Sequence, residues 1–221
     1  MALVDTVALT SWSVVTAVCM AIIGLAYIRF TRKKKNESNP SWKKGLRGLV
    51  IAESFKPRDK RSRLAGIVMR RDFVIDGFIF GHCTIGGDDA TNSILKMYSK
   101  LGRDDINFVL VSGLIIAMYN IIDVVTIHQQ TGLPVIGVTY EDSQGIEFAI
   151  KHHFPDSYEQ KIAKYHKLGR RSKVRLHTGY DIYLRTEGCT TKEAQKLLDH
   201  FTLQGTVPEP LRVAQLLAKS L

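Results

Sequence analysis

The sequence predicts an α/β fold: a mixed sheet flanked by helices, preceded by one transmembrane helix. Three observations carry that reading. Apolar runs with short, turn-like joins follow one another between Leu46 and Cys83; helical and strand-like patterns then alternate to the C-terminus; and 23 uncharged residues, Thr6–Ile28, precede them all. A run of strands followed by alternating helices and strands is the order of a mixed sheet covered on its faces. The 221 residues give room for one ordinary domain and an appendage. With 45% hydrophobic and 24% charged residues, the composition excludes a disordered chain.

Leu46–Ser54, Leu64–Met69 and Phe73–Cys83 read as an antiparallel meander, with Gly77 marking a bend or bulge. Asp88 and Asp89 open a helix to about Lys100, where carboxylates face the positive end of the helix dipole. NFVLV (107–111) and VIGVT (135–139) are continuous apolar runs, as in strands covered on both sides. A helix over 120–130 separates them and ends at Gly132 and Pro134. Helices over 143–153 and 157–168 come next, then a strand over 181–186. Thr190 with Glu193 forms a capping box for a helix to about His200, and Pro208 and Pro210 open the last helix.

The N-terminal run is long enough to cross a hydrocarbon core, since about 20 residues at 1.5 Å each span roughly 30 Å. Trp12 and Tyr27 stand near its ends, and Arg29 and Arg32–Lys35 follow it. The positive-inside rule then makes the chain a single-pass membrane protein through residues 6–28 with its globular domain cytoplasmic. A cleaved signal peptide, a buried core helix and a downstream start codon are the competing readings. Residues 1–30 are thus the expected anchor, 31–45 a basic linker and 46–221 the folded domain.

The formal charge of +10 is unevenly spread. Residues 29–71 hold 15 Lys/Arg against three acids, whereas residues 72–221 hold 16 against 17. The basicity belongs to the arm and first strands, so charge alone does not identify nucleic acid as the partner. The three cysteines are scattered without a C-x-x-C pair, which supports neither a zinc site nor a redox motif.

The stretch RLAGIVMRRDFVIDGFIFGHCTIGGDDAT, with YNIIDVVTIHQQTGLPVIGVTYE and FTLQGTVPEPLRVAQLL, resembles a largely archaeal family, domain of unknown function ninety-nine. That family is similar to endonuclease V. The resemblance covers roughly residue 43 to the end. It implies an RNase H-like sheet and a divergent, metal-dependent endonuclease acting on nucleic acid, with Mg²⁺ or Mn²⁺ held by convergent carboxylates. Carried over by motif, the first carboxylate position falls on Val68 and the second on Ser112, neither of which can serve a hard cation. The third falls on Asp88 or Asp89, and a late His position falls near Glu187. The aromatic–proline wedge of the family has no counterpart in TIGGDDAT.

Two functions remain open. As a nuclease, the chain would use Asp76, Asp88 and Asp89 as catalytic groups, with Asp88 and Asp89 as metal ligands. Alternatively it is a non-catalytic module that binds nucleic acid or protein and has lost the nuclease carboxylates. Ser112 ends a buried strand, where open α/β sheets place ligands. Ser112, Tyr119, Asn120, Asp123 and His177 are therefore expected to line a pocket, although Tyr119 and Asn120 equally suit a helix start. Arg170, Arg171 and Lys173 form a basic loop suited to phosphates, or simply to solvent.

Overall fold

The computed structural model describes residues 45–141 and 145–221. Its centre is a seven-stranded sheet in the order β3-β2-β1-β4-β7-β9-β8. The meander is β1 (Arg47–Ser54), β2 (Arg61–Arg70) and β3 (Ile75–Thr84). Strands β4 (Phe108–Ser112) and β7 (Val135–Thr139) continue the sheet, β1, β4 and β7 being mutually parallel. β9 (Asp181–Glu187) runs antiparallel to β7, and β8 (Ser172–Arg175) closes that side. A two-residue hairpin, β5 (Ile115–Ile116) with β6 (Asn120–Ile121), projects beyond the end of β4.

Side-chain alternation divides the core into two layers. Leu49, Ile51, Val109 and Val111 face one cluster, under α1 (Ala90–Leu101) and α2 (Val124–Thr131). Val50, Ala52, Leu110 and Val138 face the other, under α5 (Thr191–Phe201) and α6 (Glu209–Ser220). α1 buries Ala90, Ile94 and Met97, the i, i+4, i+7 stripe of an amphipathic helix. Every residue from Phe108 to Val111 and from Val135 to Val138 is buried, because the two parallel strands are covered on both faces. Phe108 and Phe201 meet at the base of the second layer, and a side chain on Gly48 would overlap the Phe108 ring. Two shorter helices, α3 (Glu147–His153) and α4 (Tyr158–Leu168), pack against each other beside the β5–β6 hairpin.

Three expectations are corrected. The first is the fold class with a spanning helix: the described fold is mixed α/β, and no helix among the described residues is long and apolar enough to cross a membrane. Single-pass membrane placement therefore finds no support there, and the segment 6–28 itself lies outside the described residues. The second is the helix from Asn120. Asn120 instead lies in β6, and the helix starts at Val124 with Asp123 as its cap. Ala117, Met118 and Tyr119, all at positive φ, reverse the chain there, a conformation these residue types do not announce. The third is that β8 occupies part of the presumed basic loop, with Val174 its buried residue. The capping box at Thr190 and Glu193 forms as expected.

Candidate functional site

The parallel strands β1, β4 and β7 end together, and a set of polar side chains lies at that edge. On the α6 side, Ser112 closes β4. Gln215 of α6 donates from Nε2 to its Oγ at 2.8 Å. The β1–β4 register pairs Ile51 with Val111; one step further sets Ala52, buried in the same layer, beside Ser112. Thr139, Tyr140, Glu141 and Arg171 complete an open cleft of about 350 Å³. Arg171 donates to Thr139 Oγ1 at 2.8 Å and to the Glu141 carbonyl at 3.0 Å, and its guanidinium lies over the Tyr183 ring. Burial pushes the Tyr140 hydroxyl well above its ordinary pKa, so the cleft presents it protonated. Arg170 is exposed next to Arg171 in the chain, and Lys173 on β8 is exposed and paired with Asp181 at 3.0 Å.

On the α1 side a second polar cluster fixes the loops around the hairpin. Asp89 was expected to cap α1, yet its carboxylate turns back and accepts from the Thr84 amide at 2.9 Å and the Thr84 hydroxyl at 2.8 Å. Asn120, fully buried, takes over the cap by accepting from the Ala90 amide at 3.0 Å, and it donates to Asp89 at 2.8 Å. Partial burial works against the Asp89 charge, but the bonds from Thr84 and Asn120 outweigh it and hold the carboxyl below the usual range. Lys161 of α4, only 3% exposed, donates to the Gly87 carbonyl at 2.9 Å and reaches the Tyr119 carbonyl at 3.5 Å and Asp88 at 3.4 Å. It also sits over the Phe154 ring. Glu53 at the end of β1 accepts from Ser62 and from the Ala117 amide. Burial, then the charges of Asp89 and Glu53, push the Cys83 thiol up to about 12, which removes it as a nucleophile.

The carboxylates nominated from the sequence are not brought together. Asp76 is held by Arg47 at 2.7 Å and Arg103 at 3.1 Å near the start of β3, while Asp89 is bonded to Thr84 at its end. Eight residues of strand separate the two sites, roughly 26 Å, against metal–oxygen bonds of about 2–2.6 Å. Asp88 faces Lys164 at 3.0 Å as well as Lys161. Asp123 caps α2 through the Val125 and Thr126 amides and pairs with Lys167 at 3.1 Å. Among the described residues no three His, Cys, Asp or Glu side chains form a group able to hold a metal ion. The residues present therefore do not fit the Mg²⁺ or Mn²⁺ that the resemblance implies: beside Asp88 and Asp123, lysine ammonium groups stand where a cation would have to.

The expected pocket divides in the same way. Ser112 belongs to the cleft, whereas Asp123 lines a separate cavity of about 260 Å³ with Asp88, Thr91, Lys164, Lys167 and Arg185. Tyr119 stacks on His153, and Asn120 is interior. His177 lies outside both cavities, its amide bonded to Asp199 at 2.8 Å. Val68, expected to mark the first carboxylate position, is a fully buried core residue of the antiparallel strand β2. Ala52, Gln215, Glu53 and Lys161 were missed. The strand beside β4 in such a meander is β1, so the strand end IAES was the place to look.

Sheet order and cleft together define an endonuclease V-like α/β domain. The crystal structure of Ciona intestinalis endonuclease V, in complex with a 24mer DNA containing an inosine followed by a ribo-adenosine, superposes with a TM-score of 0.56. The match spans 89% of this chain and 96% of that one at 11% identity. Bacillus subtilis endonuclease V gives 0.53 at 15% identity, spanning 89% and 90%. These likenesses establish the fold. The chain belongs to the Endonuclease dU family, whose model matches residues 44–221. It is 35% identical over 171 residues to a UPF0215 protein of Pyrobaculum calidifontis, covering 77% of this chain and 93% of that one. A protein of unknown function from Archaeoglobus fulgidus has a crystal structure with a TM-score of 0.68 at 27% identity, spanning 79% and 97%.

Acid should weaken the Asp89 cluster. Asp89 and Asp123 have folded pKa values below their unfolded ones, near 4. Their contribution is full above that value and is lost as pH falls through the lower folded values. Asp89→Asn should cost about 1–2 kcal/mol at pH 7, for weakened charge-assisted bonds. It should also flatten the loss of stability below pH 4. Urea melts at pH 7 and pH 3 measure both, and an unchanged pH slope in the variant would remove Asp89 from the cluster's energetics.

Proposed function

We propose that this chain is a nucleic-acid-binding member of its family that does not itself hydrolyse phosphodiesters. The observation that carries the reading is the trio Ala52, Ser112 and Gln215 at the carboxyl end of the β1–β4 pair. A methyl group, a hydroxyl and an amide stand where activation of water by Mg²⁺ would need ionised oxygens. Asp76, Asp88 and Asp123 are paired with Arg47 and Arg103, with Lys161 and Lys164, and with Lys167, while Asp89 and Glu53 are held by hydroxyl and amide donors. What the edge offers instead is a cleft with the hydroxyls of Ser112, Thr139 and Tyr140, the Gln215 amide and the Arg171 guanidinium, Glu141 being the one acid among the described residues of its lining. Arg170 and Lys173 are exposed on either side of Arg171 in the chain. Hydroxyls, amides and guanidinium groups are the usual donors to phosphate oxygens. The DNA held by the Ciona neighbour and the family's own name point to the same class of ligand.

Fluorescence anisotropy of the full chain on 24mer DNA and RNA, with and without inosine or dU, tests this. Binding is expected in EDTA and should be unaltered by millimolar Mn²⁺, with the strands intact afterwards. Cleavage that requires Mn²⁺ and disappears in Asp89→Asn would replace the reading with the nuclease one. Absence of binding at low salt would leave the protein-binding alternative.

A further inference from the structure

Among the described residues, the sheet stops on one side at β3, whose outer edge pairs with no strand. This edge is ten residues long, and its side chains alternate in a revealing way. Ile79 and Cys83 are buried under α1, while Phe78, Phe80, His82 and Thr84 are exposed on the other face. Phe78 keeps 54% of its surface and Phe80 45%, and Val74 and Ile75 extend the apolar patch at the strand's start. Free edges are ordinarily blunted by shortness, lysine, proline or an inward charge, because their open N–H and C=O groups recruit other strands. Between Ile75 and Thr84 there is no lysine and no proline. The single acid, Asp76, lies at the one register shift and is held by Arg47 and Arg103.

The strand is also complementary to itself. Laid antiparallel against a copy about Ile79, it sets Phe78 opposite the copy's Phe80 and Phe80 opposite the copy's Phe78. Aromatic pairs of that kind are among the favourable cross-strand contacts. Gly77 meets Gly81, which leaves room for the ring pairs. The two-fold axis is normal to the sheet, so the four phenylalanines share one face with both copies of α6, and both copies of α1 share the other. A ten-residue seam is about 33 Å long, and along it the four phenylalanines, each about half exposed in a single copy, cover one another. We infer that β3 is a homodimer interface, its occupant the β3 strand of a second copy, joining two seven-stranded sheets into one. The cleft between β4 and β7 lies away from the seam and stays open in both copies.

Sedimentation equilibrium of the full chain should give twice the 24.8 kDa chain mass. Phe78→Lys/Phe80→Lys should return it to the single-chain mass, while Leu203→Lys, at an exposed site elsewhere, should leave the dimer intact. Nucleic-acid binding per chain should survive the double substitution, which separates this inference from the proposed function. A wild-type monomer at about 100 μM, or a dimer indifferent to Phe78→Lys/Phe80→Lys, would overturn it. Should the double variant fail to fold, hydrogen exchange on the wild type decides. Amides of Gly77–Cys83 are expected to lose protection on dilution to about 1 μM, and exchange independent of concentration would overturn the inference.

Discussion

Replacing Arg170, Arg171 and Lys173 together by alanine should weaken nucleic-acid binding about 100-fold at roughly 50 mM salt and make the salt dependence shallower by about three units of log–log slope. The magnitude follows from counterion release, since each phosphate neutralised by the protein contributes close to one unit of slope. Arg170 and Lys173 are exposed, and Arg171 stands inside the cleft with a guanidinium large enough to serve Thr139, the Glu141 carbonyl and a ligand oxygen at once. Arg170 and Lys173 should contribute little to folding stability, since exposed pairs such as Lys173–Asp181 are weak. Losing the Arg171 bonds to Thr139 and the Glu141 carbonyl should cost about 1–3 kcal/mol, so folding of the variant is checked by melting before binding is read. Loss should be nearly uniform across base sequences, the mark of backbone contacts. Anisotropy titrations at several salt concentrations separate the outcomes. An unchanged slope would place the nucleic acid on a different face.

Much of this arrangement was legible before the structure, and what was not has physical reasons. FVLV and VIGV read as strands covered on both faces, because no polar residue interrupts them, and the structure buries both. The capping box at Thr190 is decided within four residues, so it needs no tertiary information. The β5–β6 hairpin is the opposite case. Its three consecutive positive-φ residues are Ala, Met and Tyr, none of which prefers that region. The backbone is held there from outside, by Lys161 on the Tyr119 carbonyl, Gly86 on the Ala117 carbonyl and Glu53 on the Ala117 amide. Lys161 was equally invisible. A lysine on an amphipathic helix reads as solvated, and only the packing of α4 against the loops of Gly87 and Tyr119 buries it. Asp89 shows how a local rule can hold in outline and fail in detail. The helix begins where two aspartates suggested, yet the cap is supplied by Asn120 from thirty residues away. GIV on β2 and IAES on β1 are both apolar runs ending at a polar residue or turn, so spacing alone does not tell which of the two strands lies beside β4, and only the sheet order places β1 there.

The proposed non-hydrolytic reading can be tested by supplying charge at the ends of β1 and β4. Ala52→Asp/Ser112→Asp would set two carboxylates at the ends of neighbouring strands, about 5 Å apart. One position is buried and the other half-buried, so without metal the pair should destabilise the fold by about 3–5 kcal/mol, through desolvation and like-charge repulsion. Both effects raise the folded pKa values, so the penalty is greatest at neutral pH and relaxes as pH falls towards 5, when one carboxyl takes up a proton. Hard divalent cations relieve the same repulsion by bridging the oxygens. Mg²⁺ or Mn²⁺ at ten times its dissociation constant should return about 1.4 kcal/mol, read as a metal-dependent rise in the melting temperature. The wild type, with a methyl and a hydroxyl at these positions, should show no such rise, and neither should Ala52→Asn/Ser112→Asn, which has the same bulk without charge. A wild-type response equal to that of the aspartate variant would mean that this chain already holds a cation through groups other than these, and the non-hydrolytic reading would fall with it.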